Sequence, residues 1–249
     1  MDRQKSIYTI SLIYAAIMLG SYFYTFQARG ISYSSNQFLI SELPFLGLLA
    51  AMMVLYVMKN PQNVELREKF PLRRRYFFLG FVPLAISIMA FWLLQSHLAF
   101  SSIGIFVATI CVGVGEELLF RKVLLAYFLE RFPRKQAIIF SALCFGLFHA
   151  INLFAGSSLK GVILQVVVTT ISGFYYAYLY LFTKKISWCA ADHGLWDYFL
   201  TMITGKLPPI FFILVFLQQA FRLGMILFMT HQAKKIPEHT DFESSQSKA

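Results

Sequence analysis

Eight runs of mostly apolar residues, each about 20 long and closed by a short polar or charged cluster, follow one another along almost the whole chain. They cover approximately residues 7–26, 38–58, 76–95, 100–129, 136–151, 161–182, 186–203 and 210–230. At about 1.5 Å of rise per residue, a helix of about 20 residues matches a hydrocarbon layer about 30 Å thick. The pattern therefore predicts an all-α integral membrane protein, a bundle of about eight transmembrane helices. The fourth run is too long for a level crossing and is expected to extend past Arg121 and Lys122 into the cytoplasm. The fifth is short and is expected to be sheltered by its neighbours.

Composition supports this reading. Of 249 residues, 58% are hydrophobic and 14% charged, with 27 Phe and a mean hydropathy of +0.63. A soluble domain carries about 25% charged residues. The net charge of +10 raises the question of nucleic acid, but almost all the basic residues border apolar runs, where anionic lipid is the expected partner, and no nucleic-acid motif is present. Arg3 and Lys5, the group from Lys59 through Arg67 and Lys69 to Arg73, Arg74 and Arg75, then Arg131, Arg134 and Lys135, then Lys184 and Lys185, then Lys234 and Lys235, all fall on one side. Only Arg29, Lys160 and Lys206 fall on the other. By the positive-inside rule both termini are cytoplasmic, which requires an even number of spans. Localisation in a cell membrane as a multi-pass protein, expected to be a bacterial plasma membrane, follows.

The organisation reads as N-terminal helices with a basic cytoplasmic loop over 1–99, a central transmembrane core over 100–205, and a last helix with a polar tail over 206–249. The run after Arg3 and Lys5 lacks a small-residue cleavage site and reads as an uncleaved span. The tail, with Asp241 and Glu243, reads as disordered. Cys111, Cys144 and Cys189 lie in apolar runs without paired spacing and read as packed thiols. No internal repeat supports an inverted-repeat transporter.

Against that background Glu116, Glu117 and Arg121 stand out. An ionisable group at bilayer depth costs about 2.5 to 3.5 kcal/mol on insertion scales, so these three must face a protein interior or a wet cavity. Glu117 and Arg121 are four apart on a helix, acid before base, and can pair. Glu116 is turned by about 100° and is left free, a candidate general base. Phe145 and His149 are four apart on the fifth run, and His193 and Asp197 are four apart on the seventh. Counting from the basic edge places Glu116, His149 and His193 at roughly 22, 21 and 12 Å along their helices, and tilt can bring them level. One carboxylate and two imidazoles there can move protons to and from water.

Glu116-Glu117-x-x-x-Arg121, Phe145-x-x-x-His149 and His193-x-x-x-Asp197, in that order on separate apolar helices, resemble the three motifs of the CAAX prenyl endopeptidase and bacteriocin-processing (CPBP, Abi) family of intramembrane proteases, over roughly residues 100–205. The resemblance implies that Glu116 with His149 activates a water for attack on a peptide carbonyl. It implies that His193 and Asp197 stabilise the oxyanion, and that Glu117 and Arg121 support the first motif. The family accepts Asn or Asp at the last position. An ionised Asp cannot donate a hydrogen bond, so Asp197 must be protonated or must orient His193.

Family members are often labelled metalloproteases, and Glu116, His149 and His193 are the candidate zinc ligands on that reading. The metal-free glutamate mechanism is favoured, because Glu117 is engaged by Arg121 and no other base would remain. The HExxH, GxSxG and GxGD signatures are absent.

The expected activity is an intramembrane endopeptidase acting on a peptide or membrane-associated protein, at a site opening toward the cytoplasm, with roles in peptide maturation, bacteriocin self-immunity or quorum signalling. The alternatives are a non-catalytic immunity or scaffold protein that binds a bacteriocin or sensor, and a proton-coupled transporter. Asp192 is either a partner of the site or a helix-face acid. Trp188 and Trp196 read as packing or interface anchors, His97 and His231 as interfacial residues, and Phe145 as packing.

Overall fold

The computed structural model describes residues 2–66, 68–94, 100–203 and 209–238. The expectations for Arg67, Gln95, His97, Lys206, Asp241 and Glu243 lie outside the described residues. Among the described residues the chain is helical and without strands. In lipid every backbone polar group must be satisfied within its own segment, and a helix does this.

The helices are α1 (Arg3–Gln27), α2 (Asn36–Lys59), α3 (Arg75–Leu94), α4 (Phe100–Glu117), α5 (Ala126–Leu129), α6 (Arg134–Phe148), α7 (Leu159–Thr183), α8 (Ile186–Ile203) and α9 (Pro209–Ala233). A π-helical stretch, Leu118–Leu125, joins α4 to α5, so the long fourth run is one continuous element. The short fifth run is α6 followed by a 3-10 stretch, His149–Ala155, which Gly156 ends at φ +82°, a left-handed conformation that suits glycine. Ser35 and Ser158 cap α2 and α7 by accepting from Gln37 N and Gly161 N.

Seven of these elements are long and apolar enough to cross a membrane, and the protein is a multi-pass membrane protein. The remaining expected span, the seventh run, is α8, also a helix of 18 residues, but Asp192, His193 and Asp197 make it more polar than the others. The solvent rule of a soluble protein is inverted. Leu93 and Phe216 are 78% and 72% exposed, whereas Glu117 and Arg121 are 0% exposed. Many apolar side chains face outward to lipid, and the charged groups within the spans are buried among the packed apolar core.

Two close helix contacts set the positions of the motifs. At the first, α4 meets α8 backbone to backbone. A Cβ on Gly194 would stand 2.8 Å from Thr109 O and 3.0 Å from Ile110 Cα, and one on Gly113 would collide with Ala190 O. At the second, α6 meets α7, where a Cβ on Gly173 would lie 2.8 Å from Ala142 Cα and one on Gly146 2.8 Å from Val166 O. Small residues let helices in lipid approach this closely, and dispersion then holds them.

The two ends of the bundle differ. At one end Arg3 pairs with Glu130, Arg73 N donates to Phe182 O, Lys184 Nζ donates to Glu68 O, and Arg134 reaches Glu68 at 2.9 Å and the carbonyls of Ala233, Ile236 and Pro237 that close α9. Every cluster of the basic side that is described meets here. At the other end Tyr33 N donates to Ala155 O, and Phe26 packs against Gly156.

Candidate functional site

The α4–α8 contact brings the first and third motifs together. Glu117 accepts from His193 Nδ1 at 2.9 Å through Oε1 and faces Arg121 Nε at 3.2 Å through Oε2, with Glu117 and Arg121 both fully buried. Glu117 is therefore shared between an arginine and a histidine, one partner more than the i, i+4 spacing predicted. Arg121 lies in the π-helical stretch, and such irregular turns frequently occur at functional sites. Its guanidinium sits 4.0 Å from the centroid of the Phe145 ring. Phe145 also meets the rings of His149 and His193 edge-on at 5.0 and 5.6 Å. The packing role expected for Phe145 is thus more specific: the ring holds one cation and two imidazoles in place.

Glu116 differs from its neighbour. It is 3% exposed, its Oε2 has no hydrogen-bond partner, and the nearest charged atom is His193 Nε2 at 3.9 Å. His193 Nε2 also faces Asp197 Oδ2 at 3.4 Å, so the i, i+4 pair of the third motif does meet. His149 Nδ1 lies 2.9 Å from Phe145 O. A carbonyl only accepts, so Nδ1 carries the proton and Nε2 of a neutral ring keeps its lone pair.

Glu116, His149, His193 and Asp197 line one cavity of about 530 Å³. Asn152 and Gln165 line it as well. Asn152 Nδ2 donates to Gln165 Oε1 at 2.8 Å, and Gln165 Nε2 donates to Tyr33 OH at 3.0 Å. Burial pushes the Tyr33 hydroxyl up to about 12, opposed by the hydrogen bond from Gln165 and assisted by Asp197 and Glu116. It remains a neutral hydroxyl at ordinary pH.

Several contributors were not found from the sequence. Tyr176 of α7 stacks on His193 at 5.1 Å between centroids, with 22° between planes. Its hydroxyl accepts from Arg222 Nη1 at 3.2 Å, and Arg222 Nη2 donates to Asp192 Oδ2 at 2.6 Å. Asp192 is thereby a partner of the site, linked to His193 through Arg222 and Tyr176. Arg222 also lies 4.4 Å from the Trp196 ring, so Trp196 packs inside, whereas Trp188 stacks on Phe77. A signal for Arg222 existed, since an arginine in the middle of an apolar run is as costly as the glutamates that drew attention. Glu42, buried on α2 beside Ser21 and Thr25, carried the same signal. Nothing in the local pattern singled out Tyr176. His231 is exposed in the last turn of α9.

Among the described residues no three His, Cys, Asp or Glu side chains stand close enough to hold an ion, Glu116, His149 and His193 included. His193 Nδ1 is occupied by Glu117, and its Nε2 faces two carboxylates.

Comparison with known proteins places one match on this region. Residues 98–199 match the family model described as Type II CAAX prenyl endopeptidase Rce1-like. No curated protein and no solved structure matches the chain. The matched stretch holds all three motifs and Tyr176 but stops before Arg222.

Proposed function

From the premise that residues 98–199 form a region of the Type II CAAX prenyl endopeptidase Rce1-like family, in a multi-pass membrane protein, we propose that the chain is an intramembrane endopeptidase whose base is Glu116. The observation that carries the assignment is the division of labour between the adjacent glutamates. Glu117 is engaged by the Arg121 ion pair and by a hydrogen bond from His193, while Glu116 lines the cavity with His193 Nε2 at 3.9 Å.

A water in the cavity donates one proton to the Glu116 carboxylate and a hydrogen bond to His149 Nε2. Its oxygen forms a bond to the scissile carbonyl carbon, and the carbonyl π electrons move to the oxygen. His193, donating through Nδ1 to Glu117, presents Nε2–H to that oxyanion when protonated. Asp197 accepts from the same Nε2–H and orients the ring, the role open to an ionised carboxylate. The C–N bond then breaks, and the leaving amine takes the proton from Glu116. Arg121, braced on Phe145, holds Glu117 in place. The substrate is a peptide or membrane-associated protein, in peptide maturation, self-immunity or peptide signalling.

The test is mass-spectrometric comparison of membrane-associated peptides from cells carrying the wild-type chain, Glu116→Gln or His149→Ala, at matched membrane levels. Products lost in both variants support the protease. An immunity or signalling phenotype that survives both substitutions assigns that phenotype to a non-catalytic scaffold, and substrate flux in proteoliposomes without cleavage assigns the chain to transport.

A further inference from the structure

The cavity lies in one half of the bundle. Beyond Glu116, His149 and His193 it continues to Tyr33 and Ser34 of the α1–α2 connection, to Gly161 and Leu164 in the first turns of α7, and to Thr201 near the end of α8. These are the element ends where Tyr33 N meets Ala155 O, opposite the end that gathers Arg3, Arg73, Arg134 and Lys184. Ser34, Gly161 and Leu164 are exposed and form its rim. The other half is closed. Tyr76, Leu125, Ala137, Tyr180, Phe182 and Met229 are each at most 2% exposed and fill the space between the site and the basic end.

This arrangement follows from the local sequence. α7 and α8 are joined by only Lys184 and Lys185, with Lys184 in a left-handed conformation at φ 56°, so the two helices start together at the basic end. Toward the far end α7 leans on α6 through Gly146 and Gly173, while α8 leans on α4 through Gly113 and Gly194. The helices diverge, and the cavity is the space between them, with Leu164, Gln165 and Val168 on one wall and Trp196, Asp197 and Leu200 on the other.

Lysine and arginine in short loops set membrane orientation, with the richer side cytoplasmic. The asymmetry here is strong, and every rim residue lies on the poor side. Resting on the protease reading for the identity of the site, we propose that the cavity opens on the non-cytoplasmic face. The enzyme then meets its peptide bond from that side, in an exported peptide or in a membrane-anchored one whose cleavage segment lies outside the cytoplasm. The expectation of a cytoplasmic opening is thereby reversed while the orientation of the termini is kept. Depth counted along each helix from the basic edge located the site but carried no information about which half of the bundle was filled. A substrate modified and presented in the cytoplasm would have to reach Glu116 through the packed Tyr76–Phe182 layer.

The test is thiol labelling of the full-length chain in intact cells. Ser34→Cys puts a thiol on the cavity rim, and Lys185→Cys puts one on the exposed basic-end turn. Neither position belongs to the catalytic set, and the native chain with Cys111, Cys144 and Cys189 supplies the baseline. A membrane-impermeant maleimide is expected to label Ser34→Cys in sealed cells and Lys185→Cys only after permeabilisation. Labelling of Lys185→Cys in sealed cells, or protection of Ser34→Cys until permeabilisation, overturns the proposal. Repeating both labels on a Glu116→Gln background separates this result from the protease reading, because accessibility does not depend on turnover. A wild-type chain that labels as expected but cleaves no peptide leaves the orientation standing and overturns the protease reading.

Discussion

His193 donates to Glu117 across the α4–α8 contact at 2.9 Å, and that one bond gives the two adjacent glutamates different surroundings. Glu117 is held by His193 on one oxygen and paired with Arg121 on the other, and of the two glutamates only Glu116 lines the cavity. Substitutions at the two positions are therefore expected to differ. Glu116→Gln keeps the shape and removes the base, and should lower the cleavage rate by about 10² to 10⁴-fold at unchanged membrane abundance. Glu117→Ala strands a buried guanidinium, and should cost about 3 to 5 kcal/mol in stability, seen as loss of folded protein in a detergent melt. Equal melting behaviour of the two variants would contradict the division.

The Asp192–Arg222 pair joins α8 to α9 beyond the matched region. Arg222→Met alone leaves Asp192 buried and uncompensated, and should destabilise by about 3 to 5 kcal/mol, whereas Asp192→Leu with Arg222→Met should recover most of that loss. Activity should not recover in parallel, because the double variant still lacks the donor that holds the Tyr176 hydroxyl behind His193. A thermal-shift double-mutant cycle beside an activity measurement checks both parts. Full recovery of kcat in the double variant would assign the pair to stability alone.

Gly113 and Gly194 set the distance between the first and third motifs. Gly194→Ala introduces one methyl group 2.8 Å from Thr109 O and should force α8 away from α4, at about 1 to 3 kcal/mol for overpacking. The His193–Glu117 bond lengthens as the helices part, so activity should fall more than stability. Retention of full activity in Gly194→Ala would mean that this contact does not govern the site.

Metal dependence has a direct outcome. With no three ligand side chains at metal spacing among the described residues, purified active protein should carry no stoichiometric zinc by elemental analysis, and activity should survive dialysis against a chelator. Stoichiometric zinc lost together with activity would replace the glutamate mechanism with a metal-assisted one.

The apolar runs determined the helices before any coordinates, because lipid offers no partner for a free peptide group and a segment of about 20 apolar residues has few other structures. Glu116, Glu117, Arg121, His149 and His193 were legible for a related reason: a polar group at depth is costly enough to require a purpose. Spacing along one helix was enough to separate Glu117 from Glu116, since Arg121 lies on the same face as only one of them.

The tertiary structure decided what depends on pairs of helices. That His193 completes the shell of Glu117, that Asp192 is neutralised by Arg222 thirty positions away, and that Tyr176 lies flat on His193 all arise from contacts between separate elements. Periodicity within one element cannot report such contacts. The direction of the cavity belongs to the same class. Sequence orders the loops into a basic and a sparse side, but which half of the bundle stays open depends on α7 and α8 leaning apart onto different neighbours, through glycines whose meaning appears only when two backbones meet.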